Sequence, residues 1–194
     1  MDSLLKNIIK IHPISEQSFE KLKKIFIEKK FKKKSALSHK NQVSTKFYIV
    51  KSGIVRSYIT DDKGKEHIKF IYTNYSPVAA FGSLIKKKEN NVIIECLTDC
   101  DLIEVDFLEF KNLAKVNVEI LHLYNNLLEL LFIKLENRFY ELSTLNATEL
   151  YLKFKKDNPG IENLIPLYHI ASYLNITPVQ LSRIRGDLYK TEKI

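Results

Sequence analysis

The sequence is short of cysteine, lacks any long apolar run and shows no glycine-rich phosphate loop. Its two cysteines, Cys96 and Cys100, lie in an alternating apolar segment without a companion pair. They signal neither a disulfide framework nor a zinc site, and are too few for an iron–sulfur cluster. They read as buried thiols packed within strands. No apolar stretch approaches the ~18 residues of a membrane span, and the N-terminus lacks the uninterrupted apolar core of a signal peptide. A cytoplasmic protein with no membrane partner is expected. The five histidines, at 12, 39, 67, 122 and 169, have no metal-ligand spacing. With no nucleophile–base pair or metal cluster in view, an enzyme is the weakest reading and no cofactor is expected.

What is present is positive charge, unevenly placed. The net charge of +8 over 194 residues suits a polyanionic partner. Residues 1–40 hold 11 lysines against 4 acidic residues, residues 41–145 hold 13 basic against 14 acidic, and residues 146–194 hold 7 against 5. The lysine run at positions 29–34 reads as the solvated end of a helix and an exposed strand start.

Along the chain, Ser15 is a fair N-cap for a short helix whose stripe is Phe19, Leu22, Ile25 and Phe26. From Phe31 the period becomes two. Strand-like segments run 47–53, 54–60, 67–72, 78–82, 91–97 and 101–105, with turns at Gly53 and Gly64. Many short strands with regular turn signals predict an antiparallel barrel or jelly roll over about 31–106. Asp106 then caps a short helix ending near Ala114. The longest periodic element follows, from Asn117 to Leu145. A heptad seam comprises Leu121, Tyr124, Leu128, Leu131, Leu135, Arg138 and Leu142, and a second stripe, Ile120, Leu123, Leu127 and Leu130, runs beside it. One helix with two stripes needs two partners: the barrel, and the same helix of a second subunit. Roughly 29 residues make about 43 Å of helix, long enough to overhang a small barrel. Arg138 is the odd residue on the seam and has Glu141 as a candidate partner. Asn146 or Thr148 starts the next helix, with Leu150, Tyr151 and Phe154 inward.

The C-terminal stretch 167–186 has the pattern of a helix-turn-helix. Ile170, Leu174, Ile176, Leu181 and Ile184 fall where two steeply crossing helices bury them, with Ala171 at the closest approach. Asn175 tolerates the left-handed turn, Thr177 offers an N-cap hydroxyl and Pro178 occupies the first helical position. With Leu181, Ile184 and Leu188 inward, Val179, Ser182, Arg183 and Gly186 face out. Such a face enters a major groove, with Arg183 forking onto guanine and Val179 touching a thymine methyl. Thr177 and Gln180 suit phosphates, and Arg185 completes the candidate DNA-binding set.

Barrel, long helix and helix-turn-helix, in that order, resemble the CRP/FNR family of bacterial transcription regulators. The resemblance is carried by residues 47–56, Phe81-Gly82-Ser83-Leu84, residues 100–106 and the run from Pro166 to Arg185. It implies an α+β chain with a cyclic nucleotide-binding-like sensor at 1–116, a dimerisation helix at 117–146 and a reader at 147–194. It further implies a homodimer on a palindromic double-stranded operator, with a small-molecule effector in the barrel. The family's pocket uses a Phe-Gly-Glu carboxylate for the ribose and an arginine pair element for the cyclic phosphate. Here these positions are Ser83 and Asn90-Asn91. With both charged anchors missing, the candidate ligand-binding residues Gly82, Ser83, Leu84, Asn90 and Asn91 are not expected to hold cyclic AMP. The chain ends six residues after Leu188, so the family's β-hairpin wing is expected to be absent. A sensor or interaction module that has lost DNA binding is the alternative, favoured by the small basic excess of residues 146–194.

Overall fold

The computed structural model describes residues 3–191, and side chains from 4 to 190. Two helices, α1 (Ser3–Ile11) and α2 (Glu16–Lys23), precede the strands β1 (Ile27–Phe31), β2 (Ala36–Ser38), β3 (Lys46–Ser52), β4 (Val55–Thr60), β5 (Glu66–Tyr72) and β6 (Pro77–Val78). After helix α3 (Phe81–Lys86) come β7 (Ile93–Cys96) and β8 (Cys100–Asp106). The remainder is helical: α4 (Phe107–Val116), α5 (Val118–Thr144), α6 (Ala147–Asp157), α7 (Leu167–Tyr173) and α8 (Pro178–Thr191).

The strands make two four-stranded antiparallel sheets, ordered β1-β8-β3-β6 and β2-β7-β4-β5. Their facing sides bury Val50, Val55, Val78, Ile94 and Leu102, together with the thiols Cys96 and Cys100. The chain is therefore α+β with a jelly-roll core, as expected. Gly53 closes the β3–β4 turn at φ +93°, and a Cβ there would lie 2.5 Å from the Asp99 carbonyl oxygen. Both the conformation and the space exclude a side chain.

Three local expectations need correction. Residues 78–82 do not form a strand: β6 ends at Val78, and Phe81-Gly82-Ser83-Leu84 opens α3. Ser83 and Leu84 are buried there, a burial that alternation alone does not distinguish from a strand. The sheet begins at Ile27 rather than Phe31, so the lysine run lies on the exposed β1 and the following turn, and the helix before it ends at Lys23. Lys29 pairs with Glu104 at 3.0 Å and Lys32 with Asp99 at 2.8 Å. Finally, α1 was not anticipated. Its Leu4 and Ile8 pack beside Phe19 and Leu22 against the start of α5, where Ile120, Leu123 and Tyr124 are buried.

The helix starts follow the capping residues. Ser15 accepts from the Ser18 N–H, Asp106 from the N–H groups of Leu108 and Glu109, and Asn117 from that of Ile120. At α6 the choice falls on Asn146, which forms a reciprocal capping box with Glu149. The C-terminal helices rest on the barrel. Leu150, Tyr151, Phe154, Ile170 and Leu181 share a core with the barrel residues Ile54, Ile68, Ile71 and Leu97. A bundle too small to bury much by itself thus borrows the outer face of β4 and β5 rather than relying on α5. The expected lack of a wing concerns residues after α8, and 192–194 lie outside the described residues.

Candidate functional site

The turn before α8 is a Schellman motif. Asn175 sits at φ +57°, its N–H donates to the Ser172 carbonyl at 3.2 Å, and the Ile176 N–H donates to the Ala171 carbonyl at 3.0 Å. Thr177 and Gln180 cap α8 reciprocally. The Gln180 N–H donates to Thr177 Oγ1 at 3.1 Å and the Thr177 N–H to Gln180 Oε1 at 2.9 Å. Both side chains, expected at phosphates, are thus engaged in building the helix start. Leu181 is fully buried and Ile184 and Leu188 partly so. Opposite them Val179 is 79% exposed, and Ser182, Arg183 and Gly186 are also exposed. Arg185 is engaged beside its neighbours in the helical head. It is half-buried, its Nη2 donates to the Tyr189 hydroxyl at 3.4 Å, and its Nε is buried without a partner. Facing Tyr151 and Tyr189, it braces α8 against α6.

The first helix of this pair, α7, is fastened to the barrel. Ser172 Oγ donates to the Glu66 carbonyl at 3.0 Å and accepts from the Ile68 N–H at 3.1 Å, satisfying the free edge of β5. Beside it Arg56 bridges Glu66 and Glu95, and its Nη1 lies 3.1 Å from His169 Nδ1. Burial first, and then the Arg56 charge, lower the His169 pKa from 6.5 to about 4. Nothing in the spacing of Arg56, Glu66, Glu95 and His169 signals this cluster, because it joins four separate elements.

The second feature is a cleft of about 710 Å³ between the barrel and α5. Gly82, Ser83, Asn90 and Asn91 line it; Leu84 does not, being buried on the other side of α3 against the α1–α5 core. Ser83 and Asn90 are inward and committed. Ser83 Oγ donates to the Lys88 carbonyl at 2.6 Å and accepts from the Ser44 N–H at 2.9 Å. Asn90 Nδ2 donates to the Gln42 carbonyl at 2.9 Å while its Oδ1 accepts from the Val92 N–H at 2.7 Å. Only Gly82 and Asn91 of the four are exposed. Lys134, which the sequence reading passed over, also lines the cleft, its ammonium 5.4 Å from the Phe70 ring centre and 5.8 Å from that of Tyr72.

The third feature is the outer side of α5, where the expected seam divides. Tyr124 belongs to the chain's own core, 5.6 Å from the Phe110 ring and 6.3 Å from that of Phe107. Leu131 is half-buried and lines the cleft. Arg138 donates to the Tyr173 carbonyl, stacks 4.0 Å over that ring and lies 3.8 Å from Glu141. These three positions therefore face inward. Leu121, Leu135 and Leu142 are exposed and Leu128 is half-buried; from Leu128 onward they join Phe132 and Phe139 in an outer row at spacings of three and four, of which Leu128, Phe132 and Leu135 also rim the cleft. Phe139 is 76% exposed. The heptad positions of the sequence therefore divide between the inner and outer sides of α5.

A jelly-roll barrel with a cleft against a long helix, carrying a helix-turn-helix, is the class of protein these features define. Residues 28–117 match the cyclic nucleotide-binding domain family. The cAMP-activated global transcriptional regulator CRP of Salmonella typhimurium is 27% identical over 92 residues, 47% of this chain and 44% of that protein. The matched stretch thus spans under half the length of that curated relative. Two solved structures share the fold over nearly the whole chain. FixK2 of Bradyrhizobium japonicum gives a TM-score of 0.74 at 17% identity, covering 87% of this chain and 86% of that one. The c-di-GMP-responsive global regulator CLP of Xanthomonas campestris gives 0.71 at 14% identity, covering 92% and 93%. Residues 28–117 thus resemble a cyclic nucleotide-binding domain, and the chain shares its fold with these solved regulators. Among the described residues no helix is long and apolar enough to cross a membrane.

Proposed function

We propose that this chain is a cytoplasmic, homodimeric, sequence-specific DNA-binding transcription regulator. In this reading residues 1–116 sense an effector, 117–146 hold the dimer and 147–194 read a palindromic operator. The observation that carries it is the division of α8, with Leu181 buried and Val179, Ser182 and Arg183 left facing outward on a capped helix. A helix held on one side by its own core and free on the other has the shape that enters a major groove. The outward row on α5 supplies a two-fold partner surface. Such a dimer sets two α8 helices about 34 Å apart, one turn of DNA.

Cyclic AMP is not the effector in this proposal. Ser83 and Asn90 stand where the family has its ribose and phosphate anchors, and their hydrogen bonds are spent on the Ser44, Lys88, Gln42 and Val92 backbone. Neither supplies the carboxylate or guanidinium that the nucleotide requires.

Selection from random double-stranded oligonucleotides with the full chain tests the function. A palindromic consensus is expected, with Arg183→Ala binding it about ten- to a hundredfold more weakly, the equivalent of roughly 1–3 kcal/mol for one base-reading contact. Arg183 is exposed, so the variant should keep the parent's melting temperature. Enrichment of no sequence would favour the alternative, an interaction module without DNA binding, which the small basic excess of residues 146–194 suits.

A further inference from the structure

The cleft between barrel and α5 has a composition that specifies more than its position. Its walls are aliphatic and aromatic, with Leu127, Leu131, Ala79 and Phe81 among them. Four lysines, Lys69, Lys86, Lys88 and Lys134, line it against one glutamate, Glu89. Lys69 lies on β5, Lys86 ends α3 and Lys88 is in the loop after it, all three exposed. Lys134 differs, because it projects from the middle of α5 onto the faces of Phe70 and Tyr72. Among the described residues no carboxylate forms an ion pair with it. The side chain keeps solvent contact through the open cleft, yet burial pushes its pKa below the ordinary lysine value. An ammonium in that setting lacks the negative partner that would offset its desolvation.

We propose that the cleft takes an amphipathic anion, a single carboxylate on an aliphatic or aromatic body, with Lys134 as its charge partner. The body fills the apolar walls and the carboxylate meets Lys134 beside the two rings. A volume of about 710 Å³ is ample for such a molecule. A cyclic nucleotide is matched less well, since its ribose hydroxyl and cyclic phosphate call for the dedicated polar anchors that Ser83 and Asn90 do not offer. The inference deepens the reading of this cleft as the effector site, and binding is measured directly so that it stands apart from DNA recognition.

Calorimetric titration of the full chain with dodecanoate, below its micellar concentration, is the test, alongside dodecan-1-ol and cyclic AMP. One saturable site per chain is expected for dodecanoate. Lys134→Met should weaken it about tenfold or more, Lys134→Arg should restore most of the affinity, and dodecan-1-ol should be indifferent to either change. Equal affinity of the parent and Lys134→Met for dodecanoate would overturn the proposal. Displacement of dodecanoate by micromolar cyclic AMP would overturn it too, and with it the exclusion of that nucleotide. Failure of dodecanoate to bind a chain that still selects an operator would sink the ligand assignment alone.

Discussion

At the scale of single residues, His169 is where burial and charge act together. It is 6% exposed, faces Arg56, and has Glu66 and Lys33 as its other charged neighbours. A folded-state pKa of about 4 against 6.5 means that the unfolded chain takes up the proton first as the pH falls. Stability linked to His169 is therefore complete above about pH 6.5, declines toward pH 4 and levels off below it, by roughly 3 kcal/mol at most. His169→Gln keeps an acceptor for Arg56 and cannot titrate. Melting temperature measured from pH 7.5 to 4 should fall more steeply for the parent than for His169→Gln, and parallel curves would refute the assignment. Glu119, held near 2 by the Ser18 hydroxyl and by the N–H and hydroxyl of Ser15, begins to lose its own contribution as the unfolded carboxylate protonates near 4.5, equally in parent and variant, so that it cancels in the comparison.

At the scale of elements, α5 shows what periodicity reveals and what it conceals. Its start at Asn117 and its end near Leu145 were legible, because caps and heptad spacing are local. The assignment of rows was not. Leu121 and Tyr124 are equally apolar in sequence, and only the aromatic cluster with Phe107 and Phe110 draws Tyr124 inward. Likewise Lys134 and Arg138 interrupt the inner stripe and look like surface charges until Phe70, Tyr72 and Tyr173 are brought beneath them. The helix-turn-helix was legible to the turn residue because Asn175, Thr177 and Pro178 each act on their own backbone. The contact of Arg185 with Tyr151 was not legible, because Tyr151 lies on another helix.

The division of α5 makes the proposed dimer testable at a residue that serves neither the internal core nor the cleft. Phe139 is outward and does not line the cleft. Phe139→Glu sets two like charges across a two-fold seam, at a cost of several kcal/mol to association. Sedimentation equilibrium should find the parent dimeric and Phe139→Glu shifted to monomer at micromolar concentration, with far-UV circular dichroism unchanged. A variant that sediments with the parent as a dimer would show that the chains associate through another surface.

At the scale of the whole molecule, the β4–β5 ribbon has two occupied faces. Ser57, Lys69, Phe70 and Tyr72 line the cleft, whereas Ile54, Ile68 and Ile71 join the core of the C-terminal helices. The same arrangement recurs on α5, where Lys134 meets the cleft and Arg138, one turn on, grips the Tyr173 carbonyl. Barrel and helix-turn-helix are consequently one packed unit joined through apolar contact, the Ser172 bonds to β5 and the Arg56 cluster. Cutting the shared core should destabilise both sides together. Ile68 is 6% exposed and sits at that junction, so Ile68→Ala should cost about 2–5 kcal/mol, the usual range for opening a cavity in a packed core. Native-state hydrogen exchange locates the loss. Amides of α7 and α8 should lose protection alongside those of β4 and β5, because the helices have too little core of their own to hold without the ribbon. Loss of protection confined to β4 and β5, with α7 and α8 exchanging as in the parent, would show that the helical head is stable by itself, and that its docking adds nothing to its fold.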